Sequence, residues 1–191
     1  MSIITKVADF FRRPEGNEGD EQFRDAAETY RKVFEQTEPL TTRARETNEF
    51  SPLWLDAIEL SRHQEAIRKL TSSLNSLRDS LSALSPANST YESKCQLYSA
   101  ACQMQRHAVI AYSKAATCTG LAAAKQKFNL MQKKFIAAHE SPESERAVQM
   151  EIDTLARLSD AAALSQQEAV QLEEQLDFSL EFTKLLLKSS R

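Results

Sequence analysis

Hydrophobic positions recur along this chain at alternating four- and three-residue steps, the spacing of one helix face that packs lengthwise against another. The clearest stretch runs from Tyr91 to His139. There Tyr91, Cys95, Tyr98, Cys102, Val109, Tyr112 and Ala116 form a seam in which Gln105 is the polar member. After a one-residue slip of phase the pattern resumes at Leu121, Ala124, Phe128, Met131 and Phe135. The slip coincides with Thr117-Cys-Thr-Gly120, a cluster of poor helix formers, so a bend is expected there.

The same spacing predicts helices on either side. Phe23, Ala27, Tyr30, Phe34 and Thr37 share one face, and Pro39 interrupts or kinks that helix. Ser51-Pro52 reads as a helix start, and Leu60, His63, Ile67, Leu70, Leu74, Leu77, Leu81 and Leu84 then make a nearly unbroken seam. Asp20 to Leu84 is therefore one kinked helix or two. Trp54, Leu55 and Ile58 widen the apolar face at its middle, which suits a second packing surface.

Ser89-Thr-Tyr-Glu92 has the form of a capping box opening the Tyr91 helix. A reversal follows at His139-Glu-Ser-Pro142, with Ser141 as cap. The last helix carries Val148, Ile152, Leu155, Ala162, Ala169, Leu172, Leu176, Leu180 and Leu187 on one face. Its middle is rich in small residues, so packing there is expected to be close but thin. Phe178, Phe182, Leu185 and Leu186 make its final turns apolar nearly all round, an end expected to be buried on more than one side.

Composition narrows the fold. With three glycines and five prolines in 191 residues, turns must be few and elements long. No stretch alternates like a strand. The expectation is an all-α, elongated and bent antiparallel three-helix coiled coil, dimeric through the leftover apolar surface. It occupies residues 20–191, after an N-terminal amphipathic helix (1–13) and a flexible linker (14–19).

Charge changes the picture more than composition does. The net charge is −3, yet residues 94–139 contain seven cations and no acid, while residues 140–191 carry a net −6. A solvated helix face normally mixes both signs, so the Tyr91–His139 helix points to an anionic partner. Lys125, Lys127, Lys133 and Lys134 cluster towards its end and are the candidate contacts. Part of this charge has a counterpart in the acidic helix that follows.

Residues 2–13 read SIITKVADFFRR, with Ile3, Ile4, Val7, Phe10 and Phe11 on one helical face and Lys6, Asp9, Arg12 and Arg13 on the other. So short a helix is marginal in water and needs a surface to fold on. Three surfaces qualify: the protein's own core, a partner protein, or a membrane interface that takes the phenylalanines into its acyl boundary and the cations among its headgroups.

Candidate chemistry is sparse. The sequence has no phosphate-binding glycine loop, no HExxH and no Ser-His-Asp order, and His63, His107 and His139 lie far apart. Cys95, Cys102 and Cys118 form no CxxC and fit small hydrophobes in a reduced, cytoplasmic setting. No cofactor, metal or enzymatic activity is indicated, and with acidic helices on both sides the basic helix is not a nucleic-acid reader.

Taken together, SIITKVADFFRR with its glycine linker, the opening DEQFRDAAETYRKVF, the basic AAAKQKFNLMQKKFIAAH and the closing QLEEQLDFSLEFTKLLL resemble the BAR domain superfamily. The nearest types are those bearing an amphipathic helix and those of sorting nexins. The likeness covers essentially the whole chain through architecture and charge layout. It implies a crescent homodimer, or a hetero-dimer, on curved anionic phospholipid membrane, phosphoinositides among the candidate headgroups. Such a protein is a peripheral cytoplasmic one of endocytosis or vesicle trafficking. Lys125, Lys127, Lys133 and Lys134 would be tip or concave-face contacts and residues 3–11 the wedge. The alternative is a coiled-coil adaptor or tether subunit whose helices pair with those of another protein.

Overall fold

The computed structural model describes residues 18–46, 54–85 and 90–189. Among them are five helices and no strand: α1 (Glu18–Glu35), α2 (Glu38–Glu46), α3 (Ala57–Ser82), α4 (Tyr91–Glu140) and α5 (Pro142–Ser189). The all-α expectation holds. Two of the long helices are present as α4 and α5, whereas the first is divided into three pieces.

Each boundary has a local cause. α1 closes with tight bonds in which the Gln36 and Thr37 amides donate to the carbonyls of Val33 (3.1 Å) and Phe34 (2.8 Å). Pro39 then falls in the first turn of α2, where its missing N–H costs nothing. α3 starts at a reciprocal cap that the reading of Ser51-Pro52 overlooked. The Asp56 carboxylate accepts from the amides of Ile58 and Glu59 (both 2.8 Å), and Glu59 accepts from the Asp56 amide at 3.2 Å. Ser51, Pro52 and Ser89 lie outside the described residues. At the start of α5 the Ser141 hydroxyl accepts from the Ser144 amide at 3.1 Å, the cap read from the sequence.

The chain falls into two compact units, the first made of Met1–Pro39, Glu65–Val109 and Leu172–Arg191, the second of Leu40–Gln64 and Ile110–Gln171. In the first, the expected seams are the core: Phe23, Ala27, Tyr30 and Phe34 of α1, Leu70, Leu74, Leu77 and Leu81 of α3, and Tyr91, Cys95, Tyr98 and Cys102 of α4 are all buried. Polar groups fix the register of these helices. The Tyr30 hydroxyl donates to the Ala101 carbonyl at 2.7 Å, and Gln105 Nε2 donates to Thr71 Oγ1 at 2.9 Å. Burial pushes Cys102 up to about 11 and Tyr98 up to about 12, so both stay protonated and uncharged at neutral pH.

At the end of α5 the single chain does not supply the expected burial on more than one side. Leu176 and Thr183 are buried, but Phe178, Phe182 and Leu185 are exposed, because the neighbouring helices of one chain cover one side of this helix.

In the second unit, Leu55, Leu60, Tyr112, Ala115, Ala116, Thr119, Ile152, Ala162, Ser165 and Ala169 are buried. The Leu55 amide donates to Thr119 Oγ1 (2.8 Å) and Gln64 Nε2 to Glu168 Oε2 (2.7 Å). Burial draws the His63 imidazole below the usual histidine range, which suits a structural residue. Trp54 and Ile58 remain exposed.

The expected slip of phase in α4 does not occur. The helix is continuous through Gly120, which has no positive φ. The earlier seam continues through Thr119 and Ala123 to Ala137, all buried, with Lys127, Leu130 and Lys134 half-buried beside it. Leu121, Ala124, Phe128 and Met131 were expected to take over the seam and instead lie on the opposite face, exposed. The reason is steric. A Cβ on Gly120 would meet the Ala162 Cβ at 3.4 Å, so α5 comes close where α4 carries its smallest side chains. Large residues cannot enter such a contact, and the helix turns its alanines inward.

Two substitutions separate these faces. Ala123→Leu is expected to destabilise the protein by about 1–3 kcal/mol through overpacking, and Leu121→Ala to change stability by about 0.5 kcal/mol or less. Urea denaturation checks both, and the reverse order would restore the shifted seam.

Candidate functional site

Seven cations of residues 94–139 suggested an anionic partner, and the structure shows how many of them the chain itself engages. Lys94, nearly inaccessible, pairs with Asp20 and sits 5.8 Å from the centre of the Phe23 ring. Burial lowers its ammonium below the usual lysine range, so the pair is held in a poorly solvated place. Arg106 reaches Asp177 at 3.2 Å and Glu173 at 3.6 Å. Lys114 donates to the Ala44 carbonyl at 3.3 Å. Lys134 donates to Gln149 Oε1 at 2.8 Å and stands 3.7 Å from Glu145.

Lys125, Lys127 and Lys133 are left. Among the described residues none of them has an ion pair or a hydrogen bond. Lys125 and Lys133 are exposed and Lys127 is half-buried. Of the four lysines proposed from sequence, three are thus available to a partner and Lys134 is held by α5. Ile3, Ile4, Lys6, Val7, Phe10, Phe11, Arg12 and Arg13 lie outside the described residues.

Beside the lysines stands a row that sequence reasoning placed inside. Leu121 is 67 % exposed, Phe128 63 % and Met131 54 %, with Ile136 exposed further along. At 100° per residue Leu121, Phe128 and Lys125 fall within one narrow arc opposite Ala123 and Leu130. Met131 and Ile136 flank that arc on its two sides. The described length of α3 explains the exposure. Leu55, two residues before α3 begins, meets Thr119, and α4 continues to Glu140 with α5 beside it. A signal existed in the sequence: the unshifted four-three pattern runs through Thr119, Ala123, Leu130 and Ala137, competing with the row of larger residues.

The surface therefore combines large apolar side chains with unpaired lysines and has no carboxylate of its own helix between Lys94 and His139. Chemically it can lower the energy of an anionic, partly apolar partner. Among the described residues no group of three or more His, Cys, Asp or Glu stands together as a metal site, and no helix is long and apolar enough to cross a membrane. No family model, curated protein or solved structure matches the chain.

Amine acylation followed by peptide mass spectrometry reads this arrangement directly. Lys125 and Lys133 are expected to react fastest, Lys134 more slowly, and Lys94 at least about tenfold more slowly than Lys125, as its near-complete burial demands. Equal rates at Lys94 and Lys125 would contradict the placement of the Asp20 pair.

Proposed function

We propose that this chain is a non-enzymatic module that binds anionic phospholipid membrane through the outer face of distal α4, assisted by the amphipathic segment 1–13. The observation that carries the reading is the exposed row Leu121, Phe128 and Met131 set among Lys125, Lys127 and Lys133 with no acid on that stretch of helix. An interfacial helix needs such a face: apolar side chains for the acyl boundary and cations for the headgroups. Each cation near an anionic leaflet contributes about 1 kcal/mol, so three supply about 3 kcal/mol before the apolar groups are counted. The resemblance to the BAR superfamily supports the same partner and adds a preference for curved membrane. The segment SIITKVADFFRR supplies the second, independent attachment that stable anchoring requires.

One observation favours a second reading. Leu121, Ala124, Phe128 and Met131 keep the three-four spacing of a coiled-coil face, so the row also fits a partner helix. With lysines alone along its sides, that helix would have to be acidic, as in a coiled-coil adaptor.

Co-sedimentation with phosphatidylserine-containing vesicles tests the first reading. The intact protein is expected to bind in about 0.1 M salt and to be released in about 1 M salt, as the Debye length falls from roughly 10 to 3 Å. Lys125→Glu/Lys127→Glu/Lys133→Glu is expected to weaken binding about tenfold or more, and loss of residues 1–13 to weaken it further. No binding by the intact protein at low salt would overturn the membrane reading and leave the adaptor.

A further inference from the structure

The last turns of α5 carry a second exposed apolar row, in the first unit. Phe178 is 75 % exposed, Phe182 40 % and Leu185 61 %, at the i, i+4, i+7 spacing of one helix stripe about 10 Å long. Exposed rings at two successive turns are more than scattered surface apolar residues explain. The flanks of this row mix both signs, Glu174 and Glu181 with Lys184 and Lys188, whereas the row on α4 has lysines alone. Its place in the unit matters as much as its chemistry. Asp177 meets Arg106 and Ser179 bonds to Tyr98, so the turns of α5 beyond them run beside the stretch of α4 that leads back to Lys94. Lys94 in turn holds Asp20 in the first turn of α1. The start of α1 and the end of α5 therefore lie at one end of the unit, both packed on α4.

The segment that precedes α1 has a matching face. Ile3, Val7 and Phe10 repeat the i, i+4, i+7 spacing, and Lys6, Arg12 and Arg13 against Asp9 make residues 2–13 net positive. We infer that, without lipid, residues 1–13 dock this face on Phe178, Phe182 and Leu185 of the same chain. Reach, tethering and charge select this occupant. The steps from Arg13 to Glu18 span up to about 17 Å, close to two of the roughly 8–10 Å spacings of packed helices, so the segment reaches α5. A tether this short gives an effective concentration in the millimolar range, so even a weak contact is occupied within the chain. Glu174, one turn before Phe178, is exposed and has no ion pair among the described residues. It attracts a positive segment that the lysines of the α4 row would repel. The consequence concerns the function proposed above and rests on it. The same apolar groups cannot lie in a bilayer and on α5 together, so the seat withholds the segment until membrane competes for it. The end of α5 is thereby a restraint on attachment.

A polarity-sensitive fluorophore on Ile4→Cys reads the seat, with Cys118→Ser and the buried Cys95 and Cys102 left in place. In the full chain without lipid, its emission is expected to lie to the blue of the same label on a free peptide of residues 1–13. The shift should persist on dilution from about 10 to 0.1 µM, as a contact within one chain requires. Phe178→Ser with Phe182→Ser is expected to return the emission to that of the peptide, whereas Leu121→Ser with Phe128→Ser leaves it unchanged. All four positions are exposed, and circular dichroism checks that each variant keeps its helices. Without the label, Phe178→Ser with Phe182→Ser is expected to bind phosphatidylserine-containing vesicles about three- to tenfold more tightly, because the segment is no longer mostly seated. Emission equal to that of the peptide, emission indifferent to the α5 pair, or a blue shift lost on dilution, which would put a second chain on the seat, would each overturn the docking. Equal or weaker vesicle binding by the α5 pair would overturn the restraint. Docking as expected with no vesicle binding by any variant would keep the seat and overturn the membrane reading instead.

Discussion

The contact that decides what this protein shows to its surroundings is the close approach of α4 and α5 in the second unit. Gly120 lies against Ala162, and Ala123 and Ala137 further along α4 and Ala169 on α5 are buried as well. Small side chains on both helices allow this spacing, and a branched or aromatic residue would force the helices apart. Everything larger on distal α4 is consequently placed on the other side. The exposed row of Leu121, Phe128 and Met131 is thus a product of how the hairpin packs, and grouped apolar side chains of this size mark it as the candidate interaction surface.

Electrostatics divides the same helix in a complementary way. Towards its start, Lys94 and Arg106 hold α1 and α5 to α4 through Asp20, Glu173 and Asp177, and burial makes the first of these ties sensitive to loss of either member. Towards its end, Lys125, Lys127 and Lys133 have no such task. The large positive charge of α4 is therefore partly structural and partly available, and the available part lies beside the exposed apolar row. That coincidence, more than the total charge, supports an anionic surface as the partner.

Much of the fold was legible in the sequence. The seams of α1, α3 and the first half of α4 are buried as the four-three spacing requires, with His63 half-buried, because each carries large apolar groups and faces several neighbours. Ser141 and Pro142 marked the start of α5 for the same kind of local reason. Distal α4 misled because two stripes there have nearly equal periodicity, and the stripe with larger side chains was taken for the buried one. Size is a poor guide where a partner helix approaches closely enough to exclude it. The cap of α3, Asp56-x-x-Glu59, is present in the sequence but was not read, Ser51-Pro52 having been taken as the start. Among the candidate lysines, sequence located the cluster, while the engagement of Lys134 by Gln149 and Glu145 needed the register of α5.

The most direct test of the central claim is the environment of position 128 in the presence of vesicles. With Cys118 replaced by serine and Cys95 and Cys102 buried, Phe128→Cys and Asp153→Cys can each carry a polarity-sensitive fluorophore. Anionic vesicles are expected to shift the emission at position 128 to the blue and to leave position 153, exposed on α5, unchanged, with neutral vesicles affecting neither. An unchanged spectrum at position 128 under saturating anionic lipid would contradict the account.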